Sequence, residues 1–372
     1  MTTAPSALEQ FIRGIPLFTL VAPEDMTEVL RVLRPVQLTA GDVLFREGEP
    51  GRAMWVLGEG AEVSISTTQG QKRPVAVAYA RKGDVVGEMA LVDDGPRSAT
   101  AVVTQDGLAH EIDAQEFHAM RSTFVPAAFK ILRKICMDLC RRLRATNERI
   151  VPSGKKIVQT PALPPGRRPE VSELDAFPAF KALPAVVKLA LAQKLDVYEF
   201  NELTPLFAEG EPNDGAYFLV EGEVSVGRNG KTLANLPSGT MFGVVACIDN
   251  GVRSASCVTT GPAKLYRMHE RQFDTLFASG HRFAYQMVDL VARQLVSHVR
   301  EANQMLPLPG KAAGPARSAK PVEQMLPTAP EPADLDLMEK PELEIEQALP
   351  LELELDLGDF ESEGSLLGQG GG

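Results

Sequence analysis

The sequence predicts a mainly β protein with flanking helices: two tandem barrels, each ending in a long helix, followed by an acidic tail that cannot build a core. Three observations predict it. An internal repeat divides the first 305 residues, short alternating strands recur inside each copy, and one amphipathic helical stretch closes each run of strands.

The repeat is carried by Phe45-Arg46-Glu47-Gly48-Glu49-Pro50, which returns as Phe207-Ala208-Glu209-Gly210-Glu211-Pro212. Both copies run on into apolar stretches, Met54-Trp55-Val56-Leu57 and Ala216-Tyr217-Phe218-Leu219. Further on, Gly83-Asp84-Val85-Val86-Gly87 matches Gly239-Thr240-Met241-Phe242-Gly243, and Arg97-Ser98-Ala99-Thr100 matches Arg253-Ser254-Ala255-Ser256. The offset is 162 residues from Phe45 to Phe207 but 156 from Gly83 to Gly239, so a loop between strands is shorter in the second copy.

Within each copy, apolar runs are broken by Gly, Pro or Asp every ~8 to 12 residues, the punctuation of a β-sandwich or barrel. From Val125 to Arg149, the residues Phe129, Leu132, Cys136, Leu139 and Leu143 follow the period of one helix face. His281 to Glu301 repeats the pattern with Met287, Leu290, Val291, Leu295 and Val299. Such a seam suits either the helix's own barrel or a partner chain, and so is compatible with a homodimer.

These signals give a first domain at 8–150, a Pro-rich linker at 151–170, a second domain at 171–305 and a disordered tail at 306–372. The linker carries Pro152, Pro161, Pro164, Pro165 and Pro169, which favour a stiff, extended chain, and Arg167-Arg168 there reads as a solvated charge pair. From Pro321 onward 14 acidic residues face one basic residue, Lys340, so the net charge of -11 resides in the tail. Leu351-Glu352-Leu353-Glu354-Leu355-Asp356-Leu357 alternates there as an extended docking peptide would, and Arg141, Arg142 and Arg144 are a basic surface onto which the tail could fold.

No stretch approaches the ~20 apolar residues of a membrane span, and Met1 to Gln10 lacks a basic segment followed by an apolar run, so the expectation is a soluble cytoplasmic protein. The four cysteines, Cys136, Cys140, Cys247 and Cys257, are too scattered for a disulfide framework and read as core residues. A metal-dependent barrel enzyme needs clustered histidines, and His110, His118, His269, His281 and His298 show no ligand spacing. The expectation is therefore no catalytic residue, no metal and no cofactor.

The strongest chemical signal is Gly87-Glu88-Met89-Ala90-Leu91 followed by Pro96-Arg97-Ser98-Ala99-Thr100. A glycine that lets backbone approach a ligand, one turn of helix with outward amides and a nearby guanidinium make a place for one phosphate. Glu88 repels phosphate and must contact something neutral, and a sugar hydroxyl suits a carboxylate that only accepts. The competing arrangement is an ion pair between Glu88 and Arg97 that merely holds the loop.

This pattern resembles the phosphate-binding cassette of the cyclic-nucleotide-binding domains of catabolite activator proteins and of regulatory subunits of cyclic-AMP-dependent protein kinase. The likeness spans roughly residues 8 to 148, including Ile15-Pro16-Leu17-Phe18 and the Phe45 to Pro50 corner. It implies two jelly-roll barrels and a ligand, cyclic AMP with cyclic GMP as the alternative. Arg97 would pair with the cyclic phosphate, and Glu88 would accept the ribose 2′-hydroxyl. Gly87, the amides near Met89 and Ala90, and Ser98 would complete the cradle. Thr146 and Asn147, at the end of the long helix, are the residues placed to close over the base.

The second copy keeps Gly243 and Arg253 but has Val244 where the first has Glu88, and Val252 where it has Pro96. Losing one charge-assisted hydrogen bond costs about 1.5 to 3 kcal/mol, roughly ten- to a hundredfold in affinity. The second site is expected to be degenerate, and any binding there would rest on Arg253.

The expected function is a cyclic-nucleotide sensor that binds ligand in the first barrel and regulates an unidentified protein through helix or tail contacts. The alternative is a ligand-independent scaffold, both barrels degenerate, that recruits partners through the tail. Neither long helix is followed by a DNA-reading helix pair, and an acidic tail repels phosphates, so no DNA-binding domain is expected. Met1 to Gln10 also lacks the basic inhibitory segment that precedes the first barrel in kinase regulatory subunits.

Overall fold

The computed structural model describes residues 5–68, 74–152 and 160–306. The expected docking peptide at Leu351 to Leu357 lies outside the described residues.

The first copy opens with α1 (Ala7–Arg13) and α2 (Met26–Val32). Eight strands follow: β1 (Leu33–Leu38), β2 (Val43–Phe45), β3 (Ala53–Leu57), β4 (Glu62–Thr67), β5 (Val75–Ala80), β6 (Val85–Val86), β7 (Thr100–Gln105) and β8 (Gly107–Asp113). They form two antiparallel four-stranded sheets, β1-β8-β3-β6 and β2-β7-β4-β5. α3 (Ala114–Ser122) and α4 (Pro126–Ile150) complete it. Asp113 caps α3 by accepting the Gln115 and Glu116 amides, and Pro126 opens α4 where its missing N–H costs nothing.

The second copy has α5 (Pro178–Lys181), α6 (Ala185–Ala192), β9 (Leu195–Phe200), β10 (Pro205–Phe207), β11 (Gly215–Glu221), β12 (Glu223–Arg228), β13 (Lys231–Pro237) and β14 (Met241–Phe242). Then come α7 (Val244–Asp249), β15 (Ser256–Thr259), β16 (Ala263–His269), α8 (Glu270–Ala278) and α9 (Arg282–Met305). Its sheets, β9-β16-β11-β14 and β10-β15-β12-β13, repeat the first copy's strand order. The shortened loop is the β12–β13 hairpin, which turns on Asn229 and Gly230, both with positive φ (46° and 77°), whereas β4 ends at Thr67 and β5 resumes only at Val75.

The central strands are apolar on both faces because each separates two cores. Ala53, Trp55 and Leu57 of β3 point into the first barrel, while Met54 and Val56 face the helices. In β11, Tyr217 and Leu219 fill the second barrel, while Ala216, Phe218 and Val220 face the helical core. That helical core is continuous across both copies.

Its centre is the packing of α4 on α9. The buried stripe Ala128, Leu132, Ile135, Leu139, Leu143 of α4 shares this core with Ala284, Val288, Val291, Leu295, Val299 of α9. Phe129 stacks on Tyr285 with centroids 4.2 Å apart, and Cys136 Sγ lies 3.8 Å from the Val288 carbonyl. The seam expected to meet its own barrel or a partner chain therefore meets the other repeat's helix within one chain. All four cysteines are buried and unpaired, as core residues should be.

The described part of the linker is tied to the second barrel rather than left as a free spacer. Thr160 N donates to Glu211 (2.5 Å), Leu163 packs into the barrel core, and Val197 N donates to Arg167 O (2.7 Å). Arg167 and Arg168, read as solvated charges, are exposed and form surface ion pairs with Glu173, Glu199 and Asp196. These bonds hold the Glu173 carboxyl well below the usual carboxylate range, the Arg167 bond first and Lys264 next.

Candidate functional site

β6 ends at Gly87, whose φ of 87° turns the chain into a single 3-10 turn, Glu88–Leu91. A side chain there would be strained, and a Cβ would meet Arg97 Nη1 at 2.7 Å, so glycine is required twice over. The chain then passes Asp93 and Gly95 and returns through Arg97, whose N–H donates to Glu49 O (2.8 Å) and whose carbonyl accepts from Gly48 N (2.9 Å). The repeated Phe45 to Pro50 corner is thus the wall that positions Arg97.

Arg97 is 7% exposed. Its Nη1 donates to Gly87 O (3.1 Å) and its Nη2 to Ala53 O (2.6 Å), while the guanidinium lies 4.1 Å from the Phe45 ring centroid. Nε is buried with no hydrogen-bond partner, and among the described residues no carboxylate lies within ion-pair distance of this guanidinium. Burial lowers its pKa to about 10, with Glu88 and Glu49 opposing the shift and Arg300 adding to it. A desolvated cation without a counter-ion is a place that favours an anion.

Glu88 does not pair with Arg97. It accepts from Arg142 Nη2 of α4 at 2.8 Å. The loop-holding ion pair weighed from the sequence is therefore not formed. Met89 is buried, with Arg142 Nη1 and Ser98 Oγ at 3.8 and 3.9 Å from its sulfur, and Ser98 is exposed. The Ala90 amide, expected at the phosphate, instead donates to Gly87 O (3.1 Å).

Two expectations about the long helix need correcting. Asn147 does not close over the first cassette; it lines a cavity of about 110 Å³ in the second barrel, with Gly243, Arg253, Ser254 and His298. Thr146 is buried, and Ala302, its counterpart at the 156-residue offset, lines the second cavity from that barrel's own helix. The basic triplet of α4 is also already engaged: Arg141 with Asp138, Arg142 with Glu88, and Arg144 with Asp249.

The second cassette copies the glycine and the arginine contacts of the first, with the α-helix α7 in place of the 3-10 turn. Gly243 has φ 75°, Arg253 Nη1 donates to Gly243 O and Nη2 to Gly215 O (both 2.8 Å), and the guanidinium lies 4.1 Å from the Phe207 centroid. The charge environment differs. Arg253, 1% exposed, pairs with Asp214, which also accepts from Tyr217 Oη (2.6 Å) and Arg267 Nη1 (3.2 Å). The first copy carries Arg52 at that position. Val244 replaces Glu88 and is itself buried.

Sequence reasoning missed Asp214, the pairing of Arg142 with Glu88 and the contacts each long helix makes with the other barrel. Arg300 of α9 grips Asp93 with two bonds, Nη1 to Oδ2 at 2.6 Å and Nη2 to Oδ1 at 2.8 Å. Reciprocally, Arg144 of α4 grips Asp249 and donates to Val252 O (2.7 Å). The signal was present: Asp93 and Asp249, like Arg144 and Arg300, stand at the 156-residue offset. Among the described residues no group of three or more His, Cys, Asp or Glu could hold a metal ion, and no helix is long and apolar enough to cross a membrane.

Comparison with known proteins agrees with this geometry. The family model of the cyclic nucleotide-binding domain matches residues 35–124 and 198–279, one match per barrel. The chain is 24% identical over 295 residues to the cAMP-dependent protein kinase type II regulatory subunit of Drosophila melanogaster, covering 78% of this chain and 66% of that protein. It is 33% identical over 98 residues to the cAMP-dependent protein kinase regulatory subunit of Colletotrichum orbiculare, and 29% over 115 residues to human cGMP-dependent protein kinase 2. It spans only 24% and 15% of those two proteins. Two cassettes, two barrels of one strand order and two family matches agree: the chain is a tandem cyclic-nucleotide-binding-domain protein.

Proposed function

We propose that the protein is a cyclic-nucleotide sensor whose ligand binds in the first barrel, with the second barrel silent toward that ligand. The observation that carries this reading is Arg97: a buried guanidinium with an unused Nε and no carboxylate partner among the described residues, one turn of backbone away from a carboxylate that can accept a hydroxyl. A cyclic phosphate supplies the missing counter-ion, and Glu88 supplies the acceptor for the 2′-hydroxyl. Met89 and Ser98 stand beside them. Cyclic AMP is the proposed ligand, since the Drosophila relative aligned over 295 residues is a cAMP-dependent kinase subunit; cyclic GMP is the alternative, because Ser98 suits either base.

Glu88 already holds Arg142 of α4, so a ribose hydroxyl arriving at Glu88 competes with that contact and changes how α4 is held. α4 in turn packs on α9, which gives a route from ligand to the surface of both barrels and to a regulated partner. Nothing in this reading requires a catalytic residue.

Titration with cyclic AMP, cyclic GMP and 2′-deoxy cyclic AMP tests it. Arg97→Ala abolishes binding of all three. Glu88→Gln weakens cyclic AMP by roughly ten- to a hundredfold and leaves the 2′-deoxy analogue unchanged, as the loss of one charge-assisted bond requires. If the wild-type chain binds none of them, the sensor reading is wrong and the partner-recruiting scaffold takes its place.

A further inference from the structure

The helix that ends the second barrel holds the first cassette directly at its loop and, through Arg121 of α3, at its helical turn. At the loop, Arg300 holds Asp93 through two parallel bonds, and its guanidinium lies so close to Gly95 that a Cβ there would meet Nη1 at 2.4 Å. The Gly95 carbonyl in turn accepts from Gly51 N (3.2 Å), in the strand connection that leads to Ala53 O and Arg97. At the helical turn, Arg121 of α3 donates to the carbonyls of Leu91 (2.7 Å) and Val92 (3.0 Å), and the same guanidinium pairs with Asp289 of α9. Arg121 is 11% exposed by side chain, and Arg300 17%, so neither contact is a loose surface pair.

The reciprocal contact is poorer. α4 reaches the second cassette at Asp249 and Val252 through Arg144, but the residue that corresponds to Arg121 at the 156-residue offset is Phe277, which can hold no carbonyl. The doubly held cassette is the one with Glu88 and the unpaired Arg97.

We propose that α9 is a working half of the first barrel's ligand site: Arg300 and Asp289, from the second barrel, are positioning residues that fix the Glu88–Leu91 turn and the Asp93–Gly95 loop in their ligand-ready arrangement. This rests on the sensor reading above and explains what a ligand-silent barrel contributes. A short loop that must order itself on binding gives up affinity for that ordering, and a loop already pinned at both ends does not. Arg300 also adds positive charge near Arg97, which favours an anionic ligand further.

Calorimetric titration of the full-length chain with cyclic AMP tests the clasp. Arg300→Met and Asp93→Asn each weaken affinity by about tenfold, the low end for losing charge-assisted bonds because the effect is indirect. The charge-swapped pair, Asp93→Lys with Arg300→Glu, recovers most of that loss, which a merely structural disturbance would not allow. Should Arg300→Met fail to fold, Asp289→Asn tests the other end of the clasp and weakens affinity through Arg121. Wild-type affinity in the single variants overturns the proposal and leaves α9 as packing alone, as does a loss that the swap does not recover. A wild-type chain that binds no nucleotide removes the sensor reading itself, a different failure.

Discussion

The two barrels share a strand order, a left-handed glycine and a buried arginine stacked on a phenylalanine, yet they leave that arginine in opposite electrostatic states. Arg253 has Asp214 as its counter-ion inside the protein, and Asp214 is itself held by Tyr217 and Arg267. Arg97 has none among the described residues, and the position of Asp214 is Arg52 in its barrel. The same fold can therefore hold its cassette arginine against a carboxylate of its own chain or leave it without an anion. The difference lies in a few side chains and in the turn that follows the glycine, a 3-10 turn at Glu88–Leu91 and an α-helix at Val244–Asp249.

The largest effect that would sharpen this contrast is on the arginines themselves. Arg97→Ala should lower cyclic-nucleotide affinity at least about a hundredfold, the phosphate losing a bidentate partner. Arg253→Ala should leave that affinity in place but destabilise the chain by about 1 to 3 kcal/mol, because it empties a buried position and takes one partner from Asp214, which keeps Tyr217 and Arg267 and is partly exposed. Ligand titration beside thermal melting separates the two outcomes, and equal ligand loss in both variants would erase the distinction drawn here.

The next effect runs in the opposite direction. Val244→Glu combined with Asp214→Asn gives the second barrel a hydroxyl acceptor and an unpaired guanidinium, and the expected stoichiometry rises from one to two nucleotides per chain. No second site in that variant would show that its cavity, lined by Asn147 and His298, excludes the ligand by shape. Arg142→Met is expected to tighten binding at the first barrel by about two- to fivefold, because Glu88 is released from a half-exposed ion pair worth at most about 1 kcal/mol. Weaker binding would mean that Arg142 itself touches the ligand.

The smallest effect is on pH. Burial holds the imidazoles of His298, His110 and His118 below the ordinary histidine range. The unfolded chain then takes up protons near pH 6.5 before the folded chain does, so stability is complete above about pH 6.5 and falls as the pH drops below it. Arg142 occupies the position in the first barrel that His298 occupies in the second, so His298→Gln should flatten part of this acid loss. An unchanged slope in urea titrations at pH 5 and 7 would place the acid sensitivity at the other two histidines.

The duplication, the barrels and the first cassette were legible in the sequence because each rests on local chemistry. Gly87 and Gly243 need positive φ, the Phe45 to Pro50 corner and its copy turn the chain the same way, and both long helices keep one apolar face. What was not legible depends on residues far apart in the chain. The Arg300–Asp93 pair joins positions 207 apart, and nothing local distinguishes that arginine from any solvated one near a helix end. Asn147 was assigned to the first base by the resemblance alone, and its place on the helix face turned to the second barrel depends on how α4 packs. Asp214 was not legible because it lies outside the cassette motif, just before β11, and reaches Arg253 only in the folded barrel. Within the linker, Arg167 and Arg168 are exposed as read, but their partners Glu173, Glu199 and Asp196 lie on later elements and were not legible.

The most direct measurement is the stoichiometry of cyclic AMP binding to the full-length chain by calorimetry, with Arg97→Ala alongside. The account predicts one nucleotide per chain and none in the variant. Two equivalent sites, or a single site that survives Arg97→Ala, would contradict it by placing the ligand at Arg253, the arginine that already has its anion.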